Sequence, residues 1–280
     1  MPTREEIFRT LLNIDFELAK RLIVNYVKNY FLYSGAKVAV MGLSGGVDSS
    51  TTLALLVEAL GKERLFVLIL PYEGVSPKRD VEDAITLAEK FGVRYKVLNI
   101  KPIVDKFAEA LGESLGKLER VVVGNIMART RMITLYAYAN SLNGLVVGTG
   151  DKSEIMIGYF TKYGDGAADI MPIGDLYKTQ VRRLALKLGL PENIAFKPSS
   201  PALWVGQKAE AELGAKYEDI DVVLYAMIEL GMDPQDIFNI EGLDMNVASI
   251  VISRVHRFEH KRRPPEIPKI QRALMKTQIA

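Results

Sequence analysis

Short apolar runs alternate along the first half of the chain with segments whose apolar residues recur at helical spacing. The strands predicted in this pattern are residues 37–43, 64–70, 94–100 and 144–149. The first is a nearly continuous apolar run, typical of a strand buried in a parallel sheet. The helical segments between them are residues 48–61, 76–92, 102–112 and 121–142. This alternation predicts an α/β fold: a doubly wound parallel sheet with flanking helices, in a Rossmann-like three-layer arrangement.

The chain divides into three parts without an evident linker. Helices are predicted in residues 1–35, where Thr3 to Glu6 forms a capping box and Gly35 ends the second helix. Residues 36–190 hold the alternating core, whose last helix is 176–190. Residues 191–280 hold a Pro-rich loop, further helices at about 207–258 and a basic tail. We therefore expect a single domain over residues 1–280.

Composition excludes several classes of chemistry. Thirty-six basic and 34 acidic residues give a net charge of +2, which argues against a dedicated nucleic-acid binder. The chain has no cysteine, so thiolate nucleophiles, disulfides and Cys-ligated zinc are excluded, as is a glutaminase that relies on cysteine. No apolar run approaches the roughly 20 residues that span a bilayer, and "MPTREEIF" lacks the apolar core of a secretory signal. We expect a cytoplasmic protein that binds neither membrane nor nucleic acid.

A glycine loop, "GLSGGVDS" (42–49), follows the first strand and opens the next helix. Its glycines let backbone N–H groups approach an anion, and the helix adds its positive end. The loop lacks the lysine of a Walker A motif. Asp48 would repel a phosphate unless a cation lay between them, and Mg²⁺ is commonly shared by a carboxylate and phosphates. The alternative is a plain strand-to-helix turn with a capping Asp.

Three loops follow predicted strands, namely Gly42–Ser50, Pro71–Ser76 and Thr149–Glu154. Ligands of doubly wound sheets bind beyond the carboxyl ends of the strands. The three loops should therefore converge on one sheet edge.

The string SGGVDS resembles the pyrophosphate loop of the N-type ATP pyrophosphatases. Five further stretches resemble NAD synthetases within that superfamily, with TKYGDG the most specific element, and the match spans nearly the whole chain. They are "GNIMARTRM" (124–132), "GTGDKSE" (148–154), "FTKYGDGAADIMPIGDLYK" (160–178), "KPSSPALWVGQKAEAELG" (197–214) and "EHKRRPP" (259–265). The resemblance implies an adenine nucleotide alpha-hydrolase-like fold and the ammonia-dependent form of the family. That form amidates deamido-NAD with ammonia and ATP through an acyl-adenylate, and it releases NAD, AMP and pyrophosphate. A homodimer is also implied.

The resemblance assigns roles residue by residue. Asp48 and Glu154 would ligate Mg²⁺ and, with Asp169, form the catalytic set. The residues implied to bind ATP are Gly42, Leu43, Ser44, Gly45, Gly46, Val47, Asp48, Ser49, Thr149, Lys178 and Ser200. Those implied to bind deamido-NAD are Arg129, Lys162, Asp169, His260 and Lys261. Asp169 could also steer ammonium toward the adenylate.

Several of these assignments have a competing interpretation. Either Ser199 or Ser200 could supply the hydroxyl that contacts ATP, since this chain departs from the family spacing there. Arg131 points about 200° away from Arg129 on an ideal helix, so the two should not share one role. Glu154 taken alone would be a solvated residue in the first turn of a helix, and "HKRRPP" an exposed basic tail.

Three other functions remain open from the sequence. A GMP synthetase ATPase subunit would share SGGVDSS, but it would not need TKYGDG or EHKRR. A tRNA-modifying pyrophosphatase is a second possibility, although thiolating members usually rely on cysteines or a metal cluster. A third is a sensor that binds ATP without turnover, against which the Asp48 and Glu154 pair argues.

Overall fold

Four parallel strands form the centre of the computed structural model, which describes residues 2–112 and 115–271. They are β1 (Val38–Gly42), β2 (Leu65–Ile69), β3 (Arg94–Val97) and β4 (Gly144–Val147), in the order β3-β2-β1-β4. The predicted fold class is confirmed. The third strand is shorter than predicted, because the Asn99 side chain accepts from the Lys101 N–H at 3.0 Å and turns the chain into the next helix. None of the described helices has the length and apolar character needed to span a bilayer.

Helices surround the sheet and fill the C-terminal third of the chain. They are α1 (Arg4–Leu12), α2 (Phe16–Ser34), α3 (Val47–Leu60), α4 (Lys78–Phe91), α5 (Lys101–Ala110), α6 (Arg120–Ser141), α7 (Lys152–Met156), α8 (Lys178–Lys187), α9 (Glu192–Ala195), α10 (Ala209–Leu213), α11 (Tyr217–Ile228), α12 (Pro234–Ile237), α13 (Met245–Arg257) and α14 (Glu259–Arg262). The helical stretch predicted over 207–258 is divided into α10 to α13 by glycines at positive φ, including Gly214 and Gly231. The end of the predicted basic tail, residues 272–280, lies outside the described residues.

The alternation of side chains along β1 explains the three layers. Ala39 and Met41 belong to a core on one face, shared with α2, α3, α4 and α8. Val38 and Val40 point to the other face, into a core shared with α5 and α6. Because successive side chains of a strand point to opposite faces, a continuous apolar run is what a sheet covered on both sides requires.

The strand order places a topological switch between β1 and β4. The chain runs from β1 to β3 with its connecting helices α3 and α4 on one face, and it returns to β4 through α5 and α6 on the other. The connections therefore diverge at the carboxyl ends of β1 and β4, and this leaves a crevice of the kind in which doubly wound sheets bind ligands.

A second apolar core lies beside the sheet and is built by α1, α10, α11 and α13. Ile157, which follows α7, and Tyr177, which precedes α8, also belong to it. The beginnings of α7 and α8 are thereby held between the sheet and the C-terminal helices. This arrangement positions the polar cluster described next.

Candidate active site

The glycine loop packs so closely that one of its glycines cannot be replaced without strain. Gly45 has φ +75°, and a Cβ there would lie 2.4 Å from the carbonyl oxygen of Asp80. Ser44 and Ser49 tie the loop together, with hydroxyl oxygens 3.0 Å apart. Gly46 is the N-cap of α3 and has no side chain to bond the first-turn amides. The loop therefore presents backbone N–H groups and hydroxyls to the crevice, as an anion site requires.

A cavity of about 760 Å³ lies over the carboxyl ends of β1, β2 and β4. It is lined by the glycine loop, by Pro71 and Ser76 after β2, and by Thr149 and Glu154 after β4. The three loops predicted to converge do so. The lining continues through residues 158–161, 164–167 and 197–204 to Lys261, and the volume is within the range of small-molecule sites.

Three carboxylates surround one buried ammonium group beneath this cavity. Lys178 Nζ lies 2.7 Å from Asp48 Oδ2, 2.8 Å from Asp151 Oδ2 and 2.8 Å from Glu154 Oε1. Lys178 and Asp151 are fully buried, whereas Asp48 and Glu154 are partly open to the cavity. Tyr217 covers the cluster, with its ring 5.1 Å from Lys178 Nζ. The sequence predictions for Asp48, Glu154 and Lys178 thus fall in one place.

Burial and the neighbouring charges shift the pKa values of the buried members of this cluster. Burial raises the pKa of Glu154 to about 8, and it also raises the pKa of Asp151. Burial alone would lower the pKa of Lys178, but the charges of Asp151, Asp48 and Glu154 hold it well above its usual value. The lysine is therefore charged, and the carboxylates attract any further cation.

The carboxylates fit a hard divalent cation. One oxygen from each of Asp48, Asp151 and Glu154 lies within 4.8 Å of the others. Asp48 Oδ1 is buried and has no hydrogen-bond partner among the described residues. Carboxylate oxygens are the ligands that Mg²⁺ prefers.

Arg129 and Arg131 of α6 point in different directions, as their spacing predicted. Arg131 lines the cavity and donates from Nε to the carbonyl of Leu70 at 3.0 Å. Arg129 is exposed outside the cavity lining and donates to the carbonyl of Lys162 at 3.3 Å. The arginine named by the resemblance is therefore not the one that faces the cavity.

The other residues implied for deamido-NAD are only partly brought together. Lys261 lines the cavity and donates to the carbonyls of Gly158 and Phe160, at 2.8 and 2.7 Å. Lys162 lies outside the lining and donates to the carbonyl of His260, whose side chain is exposed. The basic segment therefore packs on the core at Lys261 and faces solvent at His260.

Asp169 lies on the outer side of β4, away from the cavity lining. Its Oδ2 accepts from the Val146 N–H at 2.7 Å, and its Oδ1 accepts from the Tyr136 hydroxyl at 3.4 Å. The side chain supports the strand end and is otherwise exposed. The structure does not bring it into contact with Asp48 or Glu154.

The two serines of the Pro-rich loop differ in how their hydroxyls are used. Ser200 Oγ donates to the carbonyl of Gln207 at 2.7 Å and accepts from the Ala202 N–H. Ser199 lines the cavity, and its Oγ has no partner among the described residues.

Sequence reasoning missed the third carboxylate and the residues that hold the cluster in place. Asp151 caps α7 by accepting from the Glu154 N–H at 2.8 Å. Its position three residues before Glu154, directly after a strand, was the available signal. Asp221, which bonds the residues beside Glu154 and Lys178, gave no local signal in the sequence.

Comparison with known proteins identifies the family of the chain. The NAD synthase family matches residues 19–265. The NH3-dependent NAD+ synthetase of Hyperthermus butylicus is 54% identical over 92% of both chains, and that of Staphylothermus marinus is 48% identical over 94% of both. Among solved structures, an NMN synthetase from Francisella tularensis is similar with a TM-score of 0.79 at 32% identity, covering 92% of this chain and all of that one. The NH3-dependent NAD synthetase of Campylobacter jejuni subsp. jejuni gives 0.75 at 31% identity, covering 91% and 100%. The chain belongs to the NAD synthase family.

Proposed function

We propose that this protein is an ammonia-dependent NAD synthetase. It would convert deamido-NAD, ATP and ammonia to NAD, AMP and pyrophosphate. The observation that carries the proposal is the group of three carboxylates around Lys178, placed where the glycine loop meets the sheet's switch point. The family match gives no support to a GMP synthetase subunit or a tRNA-modifying enzyme.

The reaction brings two anions together, so a cation must neutralise their approach. The nicotinate carboxylate attacks the α-phosphorus of ATP, and pyrophosphate leaves toward the amides and hydroxyls of the glycine loop. Ammonia then attacks the acyl carbon, AMP leaves, and the nitrogen gives up a proton. Catalysis of this kind depends chiefly on positioning and on preorganised charge. Two lysines hold the loop, since Lys197 Nζ donates to the Gly45 carbonyl at 3.1 Å and Lys178 Nζ lies 2.7 Å from Asp48 Oδ2.

Asp48 and Glu154, with Asp151 behind them, are the residues that would hold Mg²⁺. When bound, the ion would neutralise charge on the phosphates that the glycine loop cradles. The support is the buried, unpartnered Asp48 Oδ1 and the convergence of three carboxylates. Thr149 and Ser199 also line the cavity and are proposed to contact ATP. We prefer Ser199 to Ser200, because the Ser200 hydroxyl is already used inside its loop.

For deamido-NAD, we propose that Lys261 binds the part of the dinucleotide inside the cavity. Arg129, Lys162, Asp169 and His260 lie beyond the lining, so they would contact only a part of the molecule that extends outward. The Asp169 carboxylate accepts hydrogen bonds from the Val146 N–H and the Tyr136 hydroxyl. To bind deamido-NAD or steer ammonium, it would have to give up the longer of these bonds, the one from Tyr136.

We also propose a homodimer that pairs through α2. Leu22, Tyr26 and Tyr33 expose large apolar surface along this helix, and Ile133 does so on α6. Exposed apolar patches of this kind mark association sites. Light scattering should give twice the chain mass for the wild type and the monomer mass for Leu22→Glu. An Ile103→Glu control on α5 should remain dimeric, and a monomeric wild type would exclude the dimer.

The whole chain is proposed to work as one unit in the cytoplasm, where ATP is available. The N-terminal helix is bound to the rest, since Arg4 pairs with Asp219 at 2.7 Å and Gln180 donates to the Leu11 carbonyl at 2.8 Å. These bonds join the first part of the chain to both the core and the C-terminal helices.

A mononucleotide acceptor is the second candidate substrate. It is favoured by the similarity to the Francisella protein, which is an NMN synthetase. A direct comparison of deamido-NAD with deamido-NMN, at equal ATP and ammonium, separates the two. We expect the higher kcat/KM with the dinucleotide.

The central assay supplies acceptor, ATP, Mg²⁺ and either ammonium or glutamine, and measures NAD, AMP and ADP. We expect NAD with ammonium, little with glutamine, and AMP in equal amount to NAD. Asp48→Ala should abolish turnover, whereas Glu58→Ala, on the same helix but paired only with Lys20, should not. Release of ADP, or no amidated product from either acceptor, would refute the proposal.

A further inference from the structure

A fourth carboxylate lies directly behind the cluster and takes no part in the chemistry proposed above. Asp221, on α11, is fully buried. Its Oδ2 accepts from the Thr179 N–H at 2.9 Å and from the Thr179 hydroxyl at 2.7 Å. Its Oδ1 accepts from the Ser153 hydroxyl. All of these partners are donors, and none of them is a cation.

The partners of Asp221 are the immediate chain neighbours of two active-site residues. Ser153 precedes Glu154 in α7, and Thr179 follows Lys178 in α8. Ser153 Oγ also accepts from the backbone N–H of Lys178 at 2.8 Å. One buried carboxylate therefore joins the start of α7, the start of α8 and α11.

We infer that Asp221 is a positioning residue that fixes Glu154 and Lys178 at the distance at which their side chains meet. The inference rests on the proposed function, because it concerns the same site. Lys178 Nζ and Glu154 Oε1 are 2.8 Å apart, and the Ser153 hydroxyl that donates to Asp221 also accepts from the Lys178 N–H and so joins the starts of their two helices. Residues behind a site that lock such geometry commonly change activity without touching substrate.

Energetics argue that the group is not there for stability alone. A buried carboxylate without an opposite charge is costly, even when its oxygens are hydrogen-bonded. Its charge lies at the first-turn amides of α8, where an anion is favoured. Asparagine could keep all of these contacts, with its amide oxygen accepting from Thr179 and its NH₂ donating to the second lone pair of the Ser153 oxygen, so that only the bond to Ser153 reverses direction. Alanine could keep none of them.

The contact between α8 and α11 offers a matched control. Glu218, also on α11, pairs with Arg182 of α8 at 3.0 Å. Within the described part of the chain, it ties α8 to α11 as Asp221 does but makes no bond to α7. Removing it tests the stability of that helix contact without disturbing the link between Glu154 and Lys178.

The experiment compares Asp221→Ala, Asp221→Asn, Ser153→Ala and Glu218→Ala with the wild type. For each variant, kcat and the KM of deamido-NAD are measured under saturating ATP and Mg²⁺. The dissociation constant of MgATP is measured by calorimetry, and the stability is measured by denaturant unfolding. We expect Asp221→Ala to lower kcat about 10- to 100-fold and to weaken MgATP binding. We expect the KM of deamido-NAD to change less than twofold, and Asp221→Asn and Glu218→Ala to keep kcat within about threefold.

The outcomes separate this inference from the proposed function. If Asp221→Ala does not fold, Ser153→Ala carries the test, because it cuts the same link with a smaller change. Equal kcat losses in Glu218→Ala and Asp221→Ala, or equal losses in Asp221→Asn and Asp221→Ala, would overturn the positioning role. If the wild type makes no NAD, the proposed function is wrong. The positioning role can then still be tested by the MgATP affinities of Ser153→Ala and Glu218→Ala, and it is overturned if both affinities are unchanged.

Discussion

Glu154→Gln should change how the stability of the protein depends on pH. Burial raises the pKa of Glu154 to about 8 from an ordinary value of 4.5. The charge of Lys178 opposes this rise, and the charges of Asp151 and Asp48 add to it. Between these values the folded protein holds a proton that the unfolded chain has released. The stabilisation linked to this proton is complete below pH 4.5, and it is lost as the pH rises to 8.

The magnitude follows from the width of that window. One proton contributes about 1.36 kcal/mol per pH unit, so the shift from 4.5 to about 8 gives at most about 5 kcal/mol. The side chain is 22% exposed, and the carboxylates share the titration. We therefore expect about 2–3 kcal/mol between pH 5 and 8.

Urea unfolding of both proteins at pH 5, 6, 7 and 8, in the presence of a chelator, measures this effect. The titratable groups outside the cluster are common to both proteins, so the difference in unfolding free energy reports Glu154 together with the carboxylates that share its titration. The wild type should lose about 2–3 kcal/mol relative to Glu154→Gln across this range. Excess Mg²⁺ should stabilise the wild type most at pH 8, since metal ligands must be deprotonated. A difference that stays constant with pH would refute the raised pKa.

Further predictions concern the lysine, the glycine loop and the Pro-rich loop. Lys178→Met should destabilise the metal-free protein by about 3–5 kcal/mol in denaturant, because it leaves buried carboxylates unpaired, and Mg²⁺ should recover part of the loss. Gly45→Ala should cost about 2–4 kcal/mol of unfolding free energy, through positive φ and the contact with the Asp80 carbonyl. Ser199→Ala should raise the KM of ATP about 2- to 12-fold, as the loss of one hydrogen bond predicts. Ser200→Ala should instead lower the melting temperature and leave that KM nearly unchanged.

The fold was predictable because the central strands β1 and β2 carry a local signature, whereas β3 lies at the sheet edge and is largely exposed. An apolar run bounded by a glycine or by a capping residue needs no knowledge of distant contacts, and a strand buried on both faces must be such a run. The end of β3 was predicted less well, because it depends on one side chain, Asn99, that starts the next helix. Boundaries of this kind are set by single hydrogen bonds and not by periodicity.

The site residues that lie directly after strand ends could also be predicted from the sequence. Asp48 and Glu154 each lie in a loop after a strand, and parallel strands bring such loops to one edge. Lys178 could be assigned only through the resemblance, because it enters the cluster from a helix 130 residues after Asp48. No local pattern indicates which lysine will be buried among carboxylates.

Arg129 and Arg131 of α6 show most directly what sequence cannot supply. Helical spacing places Arg129 and Arg131 on different sides, but it does not say which side faces the cavity. That choice is the rotation of α6 about its axis. The rotation is set by packing on the sheet through Ile126 and Met127, and by Gly124, where a Cβ would lie only 3.0 Å from the Leu203 side chain. The orientation of a functional side chain thus depends on apolar contacts made one turn away by residues that carry no chemistry. Since Gly124 meets the Pro-rich loop at Leu203, the same contact couples the position of that loop to the direction of Arg131, so a side chain larger than hydrogen at residue 124 should disturb both.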